Sequence, residues 1–165
     1  MTVTRTDFHK ILKVLVEEQV EFIVVGGVCA VLHGAPVTTF DLGLVHARDP
    51  ENIQRLIKAL QRLDARCRAT GHRVLRPQTD RLKTGGHQLL LTAAGPLDLL
   101  GEIGAGRGFV ELLDHAEKCR LGPDLTIRLL KLEMLIRSKE EAAREKDHAV
   151  LAILRRTLAE KRKQD

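Results

Sequence analysis

The chain has 165 residues, of which 44% are hydrophobic and 30% charged; this fits one soluble domain of ordinary size and excludes a disordered chain. Its net charge of +5 at neutral pH favours an anionic partner, such as a nucleotide, RNA or an acidic protein, without choosing among them. Four Phe, with no Trp and no Tyr, call for an aliphatic core and argue against base-stacking platforms.

The first ten residues carry no apolar run of leader length, and no stretch approaches the length of a membrane span. Cys29, Cys67 and Cys119 are scattered, without a CxxC spacing, so neither a zinc site nor a disulfide framework is indicated. The expectation is a cytoplasmic protein with reduced thiols and no membrane partner. Phe8, Ile11, Leu12, Leu15 and Val16 recur at helical spacing and predict a helix over 6–18, capped by Thr6 or Asp7. The β-branched run over 20–25 predicts a buried strand ending in Gly26-Gly27, with a short helix over 28–32 closed by His33-Gly34.

A second strand is predicted over 39–45. Asp49-Pro50-Glu51 starts a helix, with Asp49 as cap and Pro50 in the first turn. Residues 62–83 are basic and irregular, and read either as an RNA-contact surface or as a solvated face. Strands follow over 87–92 and 96–100, then the glycine-rich stretch 101–108, whose spacing is not that of a dinucleotide-binding loop and which reads as a surface loop. A short helix over 109–115, a strand over 125–128 and two helices over 130–143 and 145–161 complete the chain. No repeat or linker divides it, so residues 1–165 are expected to form a single domain with a frayed tail from about residue 161.

The informative residues are Val24-Val25-Gly26-Gly27 and then Thr38-Thr39-Phe40-Asp41-Leu42-Gly43-Leu44. With His33-Gly34, the strand Leu97-Asp98-Leu99-Leu100 and an ending that places Lys139, Arg144, Lys146 and Asp147 in order, the chain resembles the nucleotidyltransferase superfamily. The likeness is strongest to its small bacterial AbiEii-like and MNT-like members. The resemblance implies an α/β (α+β) fold, with a mixed central sheet flanked by helices and a C-terminal helix pair. It also implies a nucleoside triphosphate substrate, Mg²⁺ held by Asp41 and Asp98 as metal ligands and catalytic carboxylates, and nucleotide contacts from Gly26, Gly27, Lys139 and Arg144.

The chemistry suits these residue types. Carboxylates hold the cations that neutralise phosphoryl oxygens, and residues i and i+2 of a strand share a face. A glycine turn leaves N–H groups open to phosphate. An aspartate inside an apolar strand is costly unless it is paired or bound, which favours a functional Asp98. Plainer readings stay open: Gly26-Gly27 as an ordinary turn, Asp41 as a strand-end acid, and Lys139, Arg144 and Lys146 as surface partners of Glu140, Glu141 and Asp147.

The sequence departs from the family pattern at Gly43, where the second carboxylate of the Asp-x-Asp pair would stand. Two functions therefore remain in view. One is transfer of a nucleoside monophosphate to an RNA, protein or small-molecule acceptor. The other is a catalytically degenerate protein that binds nucleotide, RNA or a partner protein in a toxin–antitoxin or defence system. Sequence-specific DNA binding is not expected, and a purely structural interaction protein is the third reading.

Overall fold

The computed structural model describes residues 6–68, 71, 73–142, 145 and 147–165. Helix α1 spans Phe8–Glu17 and buries Ile11, Leu12, Val14 and Leu15, while the Asp7 side chain accepts a hydrogen bond from the Lys10 amide at its start. Strand β1, Phe22–Val25, is buried along its whole length, as its unbroken apolar run requires. Helix α2, Gly26–Leu32, begins two residues before the predicted start, and β2, Leu42–His46, begins three residues after its own. Helix α3, Pro50–Arg62, is capped by Asp49 as expected.

The basic segment contains a two-residue strand, β3 (Arg66–Cys67), and one turn of helix, α4 (Thr79–Leu82). Strands β4 (His87–Thr92) and β5 (Gly95–Leu100) form the predicted hairpin. Helix α5 (Phe109–Leu112) runs into a 3-10 turn over Leu113–His115, and β6 (Ala116–Gly122) and β7 (Leu125–Leu130) make a second hairpin. Helices α6 (Leu132–Ala142) and α7 (Asp147–Gln164) close the chain. The tail expected to fray from about residue 161 is helical through Gln164. It is tied down by Lys161, whose Nζ lies 2.8 Å from His33 Nδ1.

All seven strands belong to one mixed sheet in the order β3-β4-β5-β2-β1-β7-β6. Strand β1 runs antiparallel to β2 and parallel to β7, and β2 runs parallel to β5. The core is aliphatic: Ile11, Leu15, Ile23, Leu42, Leu44, Ile53, Leu56, Leu97 and Leu99 are fully enclosed. Each such side chain contributes about 1.5–3 kcal/mol relative to an exposed one. Packing is uneven across β5: Leu97 and Leu99 face the closed side, whereas Pro96, Asp98 and Leu100 face a more open one. Helix α6 packs against both α2 and α7.

Candidate active site

Pairing in the sheet sets the site. Leu89 of β4, Asp98 of β5, Gly43 of β2 and Val25 of β1 stand in one row across four adjacent strands. Partners in a row point to the same face. Asp98 and position 43 therefore share the open face, and Asp41, two residues before Gly43, joins them. Asp41 is not inside a strand, as the sequence suggests, but on the bend just before β2. Thr39 Oγ1 donates to the Asp41 carbonyl at 3.0 Å and shapes that bend.

The two carboxyl groups come within hydrogen-bonding reach of each other. The Asp98 side chain is 18% exposed. Burial pushes its pKa up to about 6, aided by a hydrogen bond to Asp41 and by the Asp41 charge, while Arg68 pulls it the other way. Two carboxylates so close repel when both are ionised, which is the condition that a proton or a cation relieves.

Arg68 is the site residue that the sequence did not reveal. It follows the edge strand β3, and its backbone N–H donates to the Leu89 carbonyl at 2.9 Å. Its Nη2 reaches over β4 and donates to both the Leu90 carbonyl and Asp98 Oδ1, each at 2.8 Å. Its Nε is buried with no acceptor. In the sequence Arg68 is one of several arginines in a basic stretch. What sets it apart is the pairing of β3 with β4, which brings it to an aspartate 30 positions away and which no local pattern encodes.

Gly43 stands between the carboxylates with room beside it. A Cβ there would meet only Val25 Cγ2 and the Val25 carbonyl, both at an ordinary 3.7 Å. The two glycines at the end of β1 differ in kind. Gly26 has φ +70° and open space around it, and it starts α2 with no side chain capping the free N–H groups. Gly27 is a packing glycine, because a Cβ there would lie 2.5 Å from Thr39 Oγ1. The expectation of two equally open glycines holds only for Gly26.

A cleft of about 450 Å³ opens at Val25, the last member of the row through Asp98 and Gly43, and is lined by Gly26, Leu100, Glu102, Ile103, Ser138 and Lys139, among others, with neither Asp41 nor Asp98 in its wall. Gly26 and Lys139, both read from the sequence as nucleotide contacts, thus meet in one hollow. The Lys139 ammonium is 3.6 Å from Oδ1 of the buried Asp147. Arg144, the remaining predicted contact, lies outside the described residues. The glycine-rich stretch is a surface loop with order of its own. Ile103 and Arg107 bridge within it, and Gly104, at φ +58°, rests directly on Ser138 of α6.

Phe40 is a further departure from expectation. It stands 78% exposed next to Asp41, a single aromatic face where composition argued against any. His33 is structural, as read: its Nε2 donates to the Leu130 carbonyl at 2.7 Å from a buried position. His46 is buried on the face away from Asp41, and burial lowers its pKa. Among the described residues, no three His, Cys, Asp or Glu side chains converge as a metal site. The oxygens that could serve a hard cation here are those of Asp41 and Asp98, one of them engaged by Arg68. They fit one Mg²⁺, which takes one or two carboxylates and completes its shell with phosphate and water.

By sequence, no family model and no curated protein matches the chain. Solved structures do match it in shape. A structure described as a "putative nucleotidyltransferase" from Thermotoga maritima superposes with a TM-score of 0.57 at 18% identity, covering 93% of this chain and 91% of that one. ANT(2″)-Ia, solved in complex with adenylyl-2″-tobramycin, superposes with a TM-score of 0.57 at 16% identity, covering 93% of this chain and 89% of the other. Together with the mixed seven-stranded sheet, these likenesses show that the fold is the nucleotidyltransferase fold.

Proposed function

We propose, on a nucleotidyltransferase fold that brings Asp41 and Asp98 together, that the chain binds a nucleoside triphosphate with Mg²⁺ and transfers its nucleoside monophosphate to an acceptor hydroxyl. The acceptor is an RNA, a protein or a small molecule. One observation carries the reading: Asp41, just before β2, and Asp98 of β5 meet on the open face of the sheet, along a row whose end at Val25 opens into the cleft lined by Gly26 and Lys139. Two half-buried acids this close repel when both are ionised, and Arg68 offsets only one of the two charges, which leaves a place for a further cation.

The side chains divide the work. Asp98, with a pKa of about 6, is ionised just above that pH and is placed to accept a hydroxyl proton. Lys139, anchored by Asp147, offers a cation to phosphate. The free N–H groups at Gly26 offer neutral donors to the same oxygens. A Mg²⁺ ion bound by Asp41 and Asp98 would neutralise phosphate charge and align the attacking and leaving oxygens.

A second reading is favoured by Gly43 and by the Arg68–Asp98 pair. With one acid fewer, and Asp98 already bonded to a guanidinium, the chain would bind nucleotide or a partner without turnover, as the degenerate member of a toxin–antitoxin or defence pair. Labelled nucleoside triphosphates, Mg²⁺ or Mn²⁺ and cell extract separate the two. Label transfer that disappears in Asp41→Ala and in Asp98→Ala supports the enzyme. Metal-dependent nucleotide binding by calorimetry with no transfer under any condition supports the binder.

A further inference from the structure

The most unusual feature of the site is that its deeper carboxylate already has a cation. Arg68 is placed there by the fold and not by chance contact. Its backbone is hydrogen-bonded to Leu89, and the Nη2 that meets Asp98 Oδ1 is also held by the Leu90 carbonyl. Its Nε lies buried without an acceptor, which is unfavourable in itself. A guanidinium kept in place despite an orphan donor calls for an explanation at its other end, and the other end is Asp98.

The charge balance supplies one. Asp41, Asp98 and Arg68 together carry a single net negative charge when both acids are ionised. Position 43, the point in the row beside Asp98 from which a third acid would project, carries no side chain. In the absence of nucleotide, one bound divalent ion already turns this cluster net positive, so a second is repelled.

We propose that Arg68 is a resident cation of this site, a positioning residue that holds Asp98 and takes the place of a second divalent ion, so that the site accepts one ion only. The inference rests on the reading of Asp41 and Asp98 as metal ligands. It adds a residue that composition and motif left unassigned. Because the guanidinium cannot be deprotonated in a protein, its charge is present at every pH at which the fold survives. Held against Asp98, that charge would weaken a first ion as well as disfavour a second.

Mn²⁺ binding to the nucleotide-free chain, counted by electron paramagnetic resonance at a pH well above the carboxylate range, tests this without turnover. The native chain is expected to bind one ion weakly. Arg68→Gln should bind one ion about tenfold more tightly, by removal of a like charge a few ångströms away, and Arg68→Lys, which keeps the charge, should stay near the native affinity. Gly43→Asp should still bind one ion, and the double variant Arg68→Gln/Gly43→Asp two. Should Arg68→Gln fail to fold, the Arg68→Lys/Gly43→Asp chain decides, since a retained charge must still hold it to one ion. Unchanged or weaker binding in Arg68→Gln, or two ions in any chain that keeps a cation at position 68, overturns the inference and leaves the proposed function standing. No Mn²⁺ bound by any of these chains overturns the inference, while the proposed function is decided separately by metal-dependent nucleotide binding.

Discussion

Asp98 carries an electrostatic load that the fold tolerates for its position. Its pKa is raised from 3.8 to about 6, first by burial and then by Asp41. A raised carboxyl pKa means that the native state binds the proton more tightly than the unfolded chain. The associated stability is fully present below the unfolded value and is lost as pH rises through the native one, here between about 4 and 6. Asp98→Asn should remove that loss. Its unfolding free energy at neutral pH should exceed the native one by roughly 1 kcal/mol, after discounting for solvent screening and the lost Arg68 pair, and the advantage should vanish at acid pH, while metal-dependent nucleotide binding falls. A variant no more stable than the native chain at neutral pH would show that Arg68 already compensates the buried charge in full.

At the scale of elements, the hairpin β4–β5 and the helix opening at Asp49-Pro50 were legible because each is announced locally, by an Ala-Gly turn and by a cap followed by proline. Strand β6 was not. Its sequence Ala-Glu-Lys-Cys-Arg-Leu-Gly has no apolar alternation, and it forms at the sheet edge by pairing with β7. The aspartates were legible as a motif, but their meeting depends on the parallel register of β2 with β5, which joins residues more than fifty positions apart. The glycine-rich stretch is a surface loop, as its sequence suggests, but its packing on α6 was not legible. Its closeness to Ser138 makes it a wall of the cleft. Gly104→Ala should loosen that wall. The left-handed backbone costs a side chain about 1–2 kcal/mol, and the new Cβ would stand 3.2 Å from Ser138 Cα. Amide exchange at Ile103 and Arg107 should quicken while that of β1 and β2 is unchanged. Protection as in the native chain would mean that the loop does not need this approach.

The whole molecule is bound together by its last helix. Asp147 at the start of α7 pairs with Lys139 of α6, and Lys161 near the end donates to His33 Nδ1, leaving the other ring nitrogen to donate to Leu130. The aliphatic core and the helical ending were foreseeable from composition and spacing; the reach of α7 back to α2 was not, since a basic tail gives no sign of a buried imidazole waiting for it. Lys161→Met should leave that nitrogen without a donor and lower the unfolding free energy by about 1–3 kcal/mol, read as a reduced thermal midpoint with the far-ultraviolet spectrum preserved. No loss would mean that water serves His33 equally well. Of the basic residues, Arg62, Arg68 and Arg76 are engaged with Glu17 and Glu18, Asp98, and Asp64 respectively. These arginines therefore hold the chain to itself, and the excess of +5 resides in other basic side chains.

The open ground beside Gly43 has an evolutionary side. Every glycine codon becomes an aspartate or glutamate codon by one change at its middle base, and at this position the new side chain would meet nothing closer than 3.7 Å from its first carbon. Selection can therefore move this lineage between two-acid and three-acid chemistry in a single heritable step, with the scaffold neither helping nor resisting.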